Sequence, residues 1–256
     1  MFRVYWFALH CGVRCLLRGQ WKNGLKFLLY PVGYWRLIPN AILEREFATL
    51  APRDVLDVGS PKLMSLRFAS LGASVTATDL DDPALFHRWR AAAVAMGFRN
   101  YCAGFEDATG LPYPDASFDM VYSISVVEHI PDDAAAISEM LRVTRPHGRV
   151  IVEVPYRQHA EVLTRNTDTK GKLLEHPAFY ERRYDAALLT ENLAKCSRPS
   201  VVILGESLYC DPILSGEIHV PKAIRALLWP LEPMMALWNF GPGRRRPLSA
   251  LLIYEK

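Results

Sequence analysis

Acidic side chains follow three predicted strands, at the point where each strand ends. Asp57 and Asp79 lie at the ends of the first two strands, and Asp107 lies at the end of the third. Because the carboxyl ends of parallel strands meet at one edge of a sheet, these carboxylates are expected to share a pocket. Gly59 leaves backbone open to a ligand there. A carboxylate at the position of Asp79 can accept both hydroxyls of a ribose, so the sequence predicts a nucleoside-binding pocket.

The loop after the first strand distinguishes two kinds of nucleoside cofactor. It reads GSPKL from Gly59, lacks the further glycines of GxGxxG, and loses one N–H donor at Pro61. A dinucleotide carries a pyrophosphate that binds free N–H groups at a helix start. S-adenosylmethionine has no phosphate, and its sulfonium and ammonium groups are positive. The acidic pocket therefore favours S-adenosylmethionine over NAD.

Strands and helices alternate from residue 54 onwards, and this arrangement positions the acidic side chains. Each predicted strand is a short apolar run bounded by turn residues. Alternation of this kind is typical of an α/β fold, here a Rossmann-like, seven-stranded, mostly parallel sheet with helices on both faces. The predicted strands are 54–60, 74–80, 101–108, 118–125, 149–155, 200–206 and 248–255, and the predicted helices are 62–71, 83–96, 132–143 and 184–195, with a turn at 146–148.

The segment 55–155 resembles the class I S-adenosylmethionine-dependent methyltransferases, in particular the small-molecule methyltransferases. VLDVGS is similar to their first motif and VTATDLD to their ribose-binding second strand. EDATGLPYPDASFDMVYSISVVEHI is similar to their adenine-side segment, and LRVTRPHGRVIVEVP to their helix, turn and fifth strand. The resemblance covers about two-fifths of the chain.

The resemblance implies a cofactor site built from four strand ends. The first flanks the methionine moiety, the second holds the ribose, the third meets the adenine and the fourth lines the pocket. The implied cofactor-binding residues are Asp57, Gly59, Ser60, Asp79, Leu80, Asp107, Ala108, Ser125 and Val126. No metal site is predicted. Lys62 in the atypical GSPKL loop either reaches the cofactor carboxylate or points to solvent, and the sequence leaves both open.

The sequence does not identify a catalytic base. Methyl transfer from a sulfonium is an in-line displacement that depends on alignment, and an alcohol or phenol acceptor also needs a base. His129 is a weak candidate, because it follows the fourth strand, and a structural role at a helix start explains it equally well. The other candidates are weaker still: His159, His176, His219, Glu128 and Tyr156.

Residues 1–50 are predicted to form a basic, aromatic, helical extension. Six Arg and Lys residues and no acidic residue occur before Glu44. Residues 51–256 are predicted to form one cofactor-binding domain, in which the long connections 156–181 and 207–247 are placed for substrate contact. The basic, aromatic ends of the chain, including Trp229 and Arg244–Arg246, suit a peripheral contact with anionic lipid, although packing over the sheet explains them as well.

Composition restricts the remaining function classes. The net charge of +3 does not by itself indicate nucleic acid, and no nucleic-acid partner is expected. The five cysteines fit neither a disulfide framework nor a zinc site. A cytoplasmic protein is expected, with peripheral membrane contact left open. The predicted function is methyl transfer from S-adenosylmethionine to a small-molecule or lipid- or glycan-linked acceptor; the alternatives are a non-catalytic cofactor-binding protein and an NAD-dependent enzyme.

Overall fold

The computed structural model describes residues 2–29, 32–80, 83–167, 172–207 and 231–256. The helices are α1 Phe2–Leu17, α2 Trp21–Leu29, α3 Tyr34–Leu50, α4 Leu63–Ser70, α5 Pro83–Met96, α6 Asp133–Val143, α7 Ala186–Leu188 and α8 Glu232–Asn239. The strands are β1 Asp54–Val58, β2 Ser74–Asp79, β3 Tyr101–Phe105, β4 Phe118–Ile124, β5 Thr144–Pro155, β6 Glu161–Thr167, β7 Leu173–Arg183, β8 Ser200–Glu206, β9 Phe240–Pro242 and β10 Arg246–Glu255.

The main sheet has the order β3-β2-β1-β4-β5-β10-β8-β9. Strands β3, β2, β1, β4 and β5 are parallel, and β10, β8 and β9 are antiparallel. The mostly parallel α/β fold is therefore confirmed, with eight strands rather than seven. The additional strand is the three-residue β9, which pairs with β8 at the sheet edge. Its sequence, Phe-Gly-Pro, is too short to show the alternation by which a strand is recognised.

The central strands are buried on both faces. Along β1, Val55 belongs to an apolar cluster with residues of α4 and α5, whereas Leu56 belongs to a second cluster with residues of α6. Consecutive side chains of a strand point to opposite faces, so both faces of the sheet are covered. Helix α6 begins where the sequence predicts, because the side chain of Asp132 accepts a hydrogen bond from the Ala135 N–H and caps the helix.

Three predicted elements differ in the structure. The predicted turn at 146–148 lies inside β5, at a register shift against β4, and His147 there has φ 64°. The connection 156–181 is not irregular, because β6 and β7 pair within it as a separate antiparallel hairpin. The helix predicted at 184–195 is shorter, with α7 continuing as a π-helix over Leu189–Leu193.

The N-terminal region is helical, as the sequence predicts. Helices α1 and α2 approach closely where Gly12 meets Leu28 and Gly24 meets Leu16; a Cβ at either glycine would lie 2.7 Å or less from the facing leucine. Helix α3 packs on α4 through the stacked rings of Phe47 and Phe68, whose centroids are 4.2 Å apart. No helix of the described residues is long and apolar enough to cross a membrane.

Candidate functional site

Gly59 shapes the loop that follows β1. Its φ is 73°, and a Cβ there would lie 2.6 Å from Cγ1 of Val126. A side chain is therefore disfavoured both by the backbone conformation and by the close approach of the residue that follows β4. The Gly59 N–H donates to the Thr78 carbonyl oxygen at 2.8 Å, which fixes the loop between the ends of β2 and β4.

Asp57 and Ser60 support this loop from beneath. Asp57 is fully buried, and its Oδ1 accepts a hydrogen bond from the Ser60 N–H at 3.0 Å. Ser60 Oγ in turn accepts from the Ile124 N–H at 2.9 Å. Burial raises the pKa of Asp57, opposed by the charge of Lys62 and the Ser60 hydrogen bond. The structure thus places both predicted residues under the loop, where they hold its shape.

Lys62 is buried and lies between two carboxylates. Its Nζ donates to the Thr78 carbonyl oxygen at 2.8 Å and lies 3.7 Å from both Asp57 Oδ1 and Asp79 Oδ2. The side chain is 4% exposed, so it does not point to solvent. A buried ammonium requires this compensation, because an uncompensated charge in the interior is costly.

Asp79 is the last residue of β2, and Asp107 follows the end of β3 by two residues. Asp79 keeps 22% of its side chain exposed and accepts a hydrogen bond from the Leu80 N–H at 3.0 Å. The two strands are parallel neighbours. The backbone and hydroxyl of Thr109 donate to Asp107 Oδ1 and lower the pKa of that carboxyl. Ala108 beside it is buried. The partly exposed carboxylate of Asp79 and the exposed carboxylate of Asp107 therefore follow neighbouring strands.

The chain turns sharply after β4. Ser125 has φ 56°, a left-handed conformation that is uncommon outside glycine, asparagine and aspartate. Its N–H donates to the Glu153 carbonyl oxygen at 3.1 Å, and its Oγ donates to Glu153 Oε2 at 2.9 Å. These contacts hold the strained residue and direct Val126 against Gly59. Ser125 and Val126 thus meet the first-strand loop at the same sheet edge.

Glu128 lies deeper at this edge than His129. His129 is 43% exposed, and its Nδ1 hydrogen-bonds to the Tyr180 carbonyl oxygen at 2.7 Å. Glu128 is 3% exposed, and its Oε2 has no hydrogen-bond partner among the described residues. Burial and the nearby charge of Glu153 raise the pKa of Glu128 well above its usual value. Sequence reasoning ranked Glu128 below His129, because burial of a charged residue within VVEHI leaves no signal in the sequence.

The remaining histidine candidates lie on the segment after β5 or outside the described residues. His159 and His176 are exposed on the segment that contains β6 and β7. His219 and Trp229 lie outside the described residues. Tyr156 forms a bridge with Tyr184 at the end of β5. Within the residues that the structure describes, no group of three or more His, Cys, Asp or Glu side chains could hold a metal ion.

The N-terminal helices also reach the edge, which sequence reasoning missed. Arg36, near the start of α3, lowers the pKa of both Glu128 and Glu153, although burial outweighs its effect. The same arginine lines a cavity of about 100 Å³ bounded on its other side by Pro61, Lys62 and Leu63. The segment that precedes the sheet therefore forms part of the site.

Comparison with known proteins finds similarity to methyltransferases. Residues 56–152 match the family Methyltransf_11, described as a methyltransferase domain. A probable S-adenosylmethionine-dependent methyltransferase of Mycolicibacterium smegmatis is 32% identical over 162 residues, which is 62% of this chain and 57% of that protein's own length. A probable S-adenosylmethionine-dependent methyltransferase of Mycobacterium tuberculosis is 28% identical over 211 residues, which is 78% of this chain and 71% of that protein.

Solved structures share the fold at low sequence identity. The 1,6-didemethyltoxoflavin-N1-methyltransferase of Burkholderia thailandensis, solved with S-adenosylhomocysteine, gives a TM-score of 0.53 at 18% identity, covering 96% of this chain and 87% of that one. Coclaurine N-methyltransferase, also solved with S-adenosylhomocysteine, gives 0.53 at 13% identity, covering 84% of this chain and 72% of that one. These likenesses concern the fold.

Proposed function

We propose that the protein transfers a methyl group from S-adenosylmethionine to a small-molecule or lipid-like acceptor, because residues 56–152 match a methyltransferase domain and the similar proteins include probable S-adenosylmethionine-dependent methyltransferases. The observation that carries the proposal is the meeting of Gly59, Asp79 and Val126 at one sheet edge inside the matched segment. The chain matches only 57% of the length of the M. smegmatis relative.

The residues at the edge fit this cofactor. Asp79 presents a partly exposed carboxylate suited to the two ribose hydroxyls. The positive φ of Gly59 leaves backbone open beside it. Pro61 and Met64 stand where GxGxxG has its second and third glycines, so the loop does not suit a dinucleotide. When bound, S-adenosylmethionine supplies an activated methyl group, and the protein aligns the acceptor behind it and excludes water.

Two groups after β4 can take the proton of an acceptor hydroxyl or amine. Glu128 is buried and its Oε2 lacks a partner among the described residues, whereas His129 is half-exposed and bonded to the backbone of β7. A carboxylate whose pKa is raised by burial is a stronger base once ionised. We therefore place Glu128 ahead of His129 as the proton acceptor.

The outer face of the α1–α2 hairpin supports a peripheral membrane contact. Exposed apolar side chains line it at helical spacing: Trp6, Val13, Leu17, Trp21, Leu25 and Leu29, exposed by 48–79%. Arg3 and Lys22 are exposed on the same two helices, and Arg18 is exposed in the turn between them. Aromatic and leucine side chains flanked by basic residues suit the boundary of an anionic bilayer. The proposed localisation is therefore peripheral at such a membrane, where a lipid-like acceptor would be within reach.

The other end of the chain has the same character. In α8, Met234 and Trp238 are 67% and 75% exposed. Arg244 donates to the Trp238 carbonyl oxygen at 3.1 Å, which places a guanidinium beside this apolar pair. We include α8 and Arg244 in the proposed membrane contact.

To test the proposal, the protein is incubated with methyl-labelled S-adenosylmethionine and one of two acceptor pools. The pools are a total lipid extract in vesicles and an aqueous small-molecule extract. Label in either pool that is lost in Asp79→Asn supports methyl transfer and gives the acceptor class. Cofactor binding without transfer to either pool would contradict an active enzyme and favour the non-catalytic alternative. The unusual GSPKL loop, with its buried Lys62, is the reason to test that alternative.

A further inference from the structure

Basic side chains gather in the small cavity between the N-terminal helices and the GSPKL loop. Lys26 of α2 and Arg36 of α3 line one side of the cavity, which has a volume of about 100 Å³. Asn40, one helical turn beyond Arg36, lines it as well and is 6% exposed. The opposite side is formed by Pro61, Lys62 and the first residue of α4, Leu63.

Among the described residues, Lys26 and Arg36 of this cavity form no close ion pair, and the charge of Arg36 acts on Glu128 and Glu153 only at longer range. Burial and the charges of Arg88 and Arg36 lower the pKa of Lys26, so both arginines repel this ammonium. The Lys26 ammonium lies 5.3 Å from the ring centroid of Trp89. Within the described residues, neither Lys26 nor Arg36 forms an ion pair within 4.0 Å of a carboxylate oxygen, and Nε of Arg88 is buried without a partner.

The residues already assigned to the cofactor leave one of its groups without a partner. S-adenosylmethionine carries a sulfonium, an ammonium and a carboxylate. Asp57 is buried beneath the loop and Asp79 is assigned to the ribose, and both are acidic, so neither can serve the carboxylate. Lys62 cannot serve the carboxylate from its present position, because its ammonium is held by the Thr78 carbonyl oxygen between Asp57 and Asp79.

We propose that Lys26 and Arg36 bind the carboxylate of the methionine end of S-adenosylmethionine, so that the N-terminal helices complete a cofactor site that the matched segment 56–152 does not contain in full. The inference rests on the proposed function. A guanidinium binds a carboxylate through paired N–H donors, and Lys26 adds a second charge. Because the cavity borders the loop after β1, its ligand lies next to the residues that hold the methionine end.

The test compares two ligands that differ only in the carboxylate of the methionine end. Dissociation constants are measured by titration calorimetry for S-adenosylmethionine and for decarboxylated S-adenosylmethionine. The variants are Arg36→Met, Lys26→Met and Arg36→Lys, and Arg99→Met removes an exposed arginine of the α5–β3 turn as a charge-matched control. Circular dichroism melts without ligand establish that each variant is folded.

Arg36→Met is expected to weaken S-adenosylmethionine binding about 10- to 100-fold, as for loss of a charged hydrogen-bonding partner. Binding of the decarboxylated ligand should stay as in the wild type, and Arg36→Lys should restore part of the loss. Equal weakening of both ligands, or of neither, would overturn the inference while leaving the proposed function standing. If the wild type binds neither ligand, both proposals fail.

Discussion

The ammonium of Lys62 lies 3.7 Å from Oδ2 of Asp79, so a buried cation stands behind the carboxylate that is expected to hold the ribose. The same ammonium is 3.7 Å from Asp57 under the preceding loop. One lysine of the GSPKL loop thus links the ends of β1 and β2. The atypical GSPKL loop has a structural explanation, since the lysine side chain turns inward and leaves the outer side of Asp79 accessible.

Lys62→Met should destabilise the fold strongly. Removing one partner of a buried ion pair costs about 3–5 kcal/mol, because the remaining charge is left uncompensated. Burial already raises the pKa of Asp57 in the folded state. The Asp57 carboxyl therefore contributes its full stabilisation of the fold below the ordinary carboxyl pKa, and this contribution is lost as pH rises through the folded-state pKa. Without Lys62 that pKa rises further, and the variant should lose more stability at pH 8 than at pH 5. Urea unfolding at the two pH values checks this, with exposed Lys195→Met as control; a pH-independent deficit would contradict it.

Gly59→Ala should lower both stability and cofactor affinity. The added Cβ meets Val126 Cγ1 at 2.6 Å and forces a non-glycine residue to φ 73°. We expect a loss of about 1–3 kcal/mol in the free energy of unfolding. Val126→Ala in the same chain removes the steric part and should recover only a fraction of the loss, because the backbone strain remains. Full recovery in the double variant would show that φ is unimportant here.

Glu128→Gln should flatten the pH dependence of stability. Burial and Glu153 raise the pKa of Glu128, with Glu181 adding to the effect and Arg36 opposing it. A carboxyl with a raised folded-state pKa contributes stability below its ordinary pKa and loses that contribution as pH rises through the folded value. The amide cannot ionise, so the free energy of unfolding of the variant should rise relative to that of the wild type between pH 5 and pH 8. Denaturant midpoints across this range provide the measurement, and parallel wild-type and variant profiles would refute the expectation.

Membrane contact through the hairpin predicts a specific loss of vesicle binding. Purified protein should pellet with anionic vesicles at low salt and be released as salt rises. Trp21→Gln together with Leu25→Gln removes two exposed apolar side chains and should lower pelleting about tenfold or more. Val94→Gln, which changes a 70% exposed valine on α5, is the matched control. Failure of the wild type to pellet at low salt, or equal pelleting of all three proteins, would exclude the hairpin as a membrane contact.

The sequence predicted the sheet edge because the apolar runs of the strands and the turn residues that end them agree with the tertiary structure. The short apolar runs that end near Gly59 and Asp79 are typical of buried strands. All seven predicted strands occur in the structure. The β6–β7 hairpin was missed because its strands are mostly exposed and carry charged residues, so they lack an apolar alternation.

Parts of the site depend on contacts far apart in the chain and therefore leave no local pattern. Arg36 reaches the site only because α3 packs across α4 and β5. The inward position of Lys62 depends on the simultaneous presence of Asp57, Thr78 and Asp79 on two different strands. Spacing alone leaves the direction of such a side chain undetermined.

The most direct test of the account is thermal unfolding of the wild type and Asp79→Ala with S-adenosylmethionine, S-adenosylhomocysteine or NAD. A ligand at about 100 times its dissociation constant stabilises the folded state by about 2.7 kcal/mol, or roughly 5–10 °C for a chain of this length. The account predicts this shift in the wild type with the two methionine-derived ligands, no shift with NAD, and none in Asp79→Ala. No shift of the wild type with either methionine-derived ligand, or an equal shift with NAD, would contradict it.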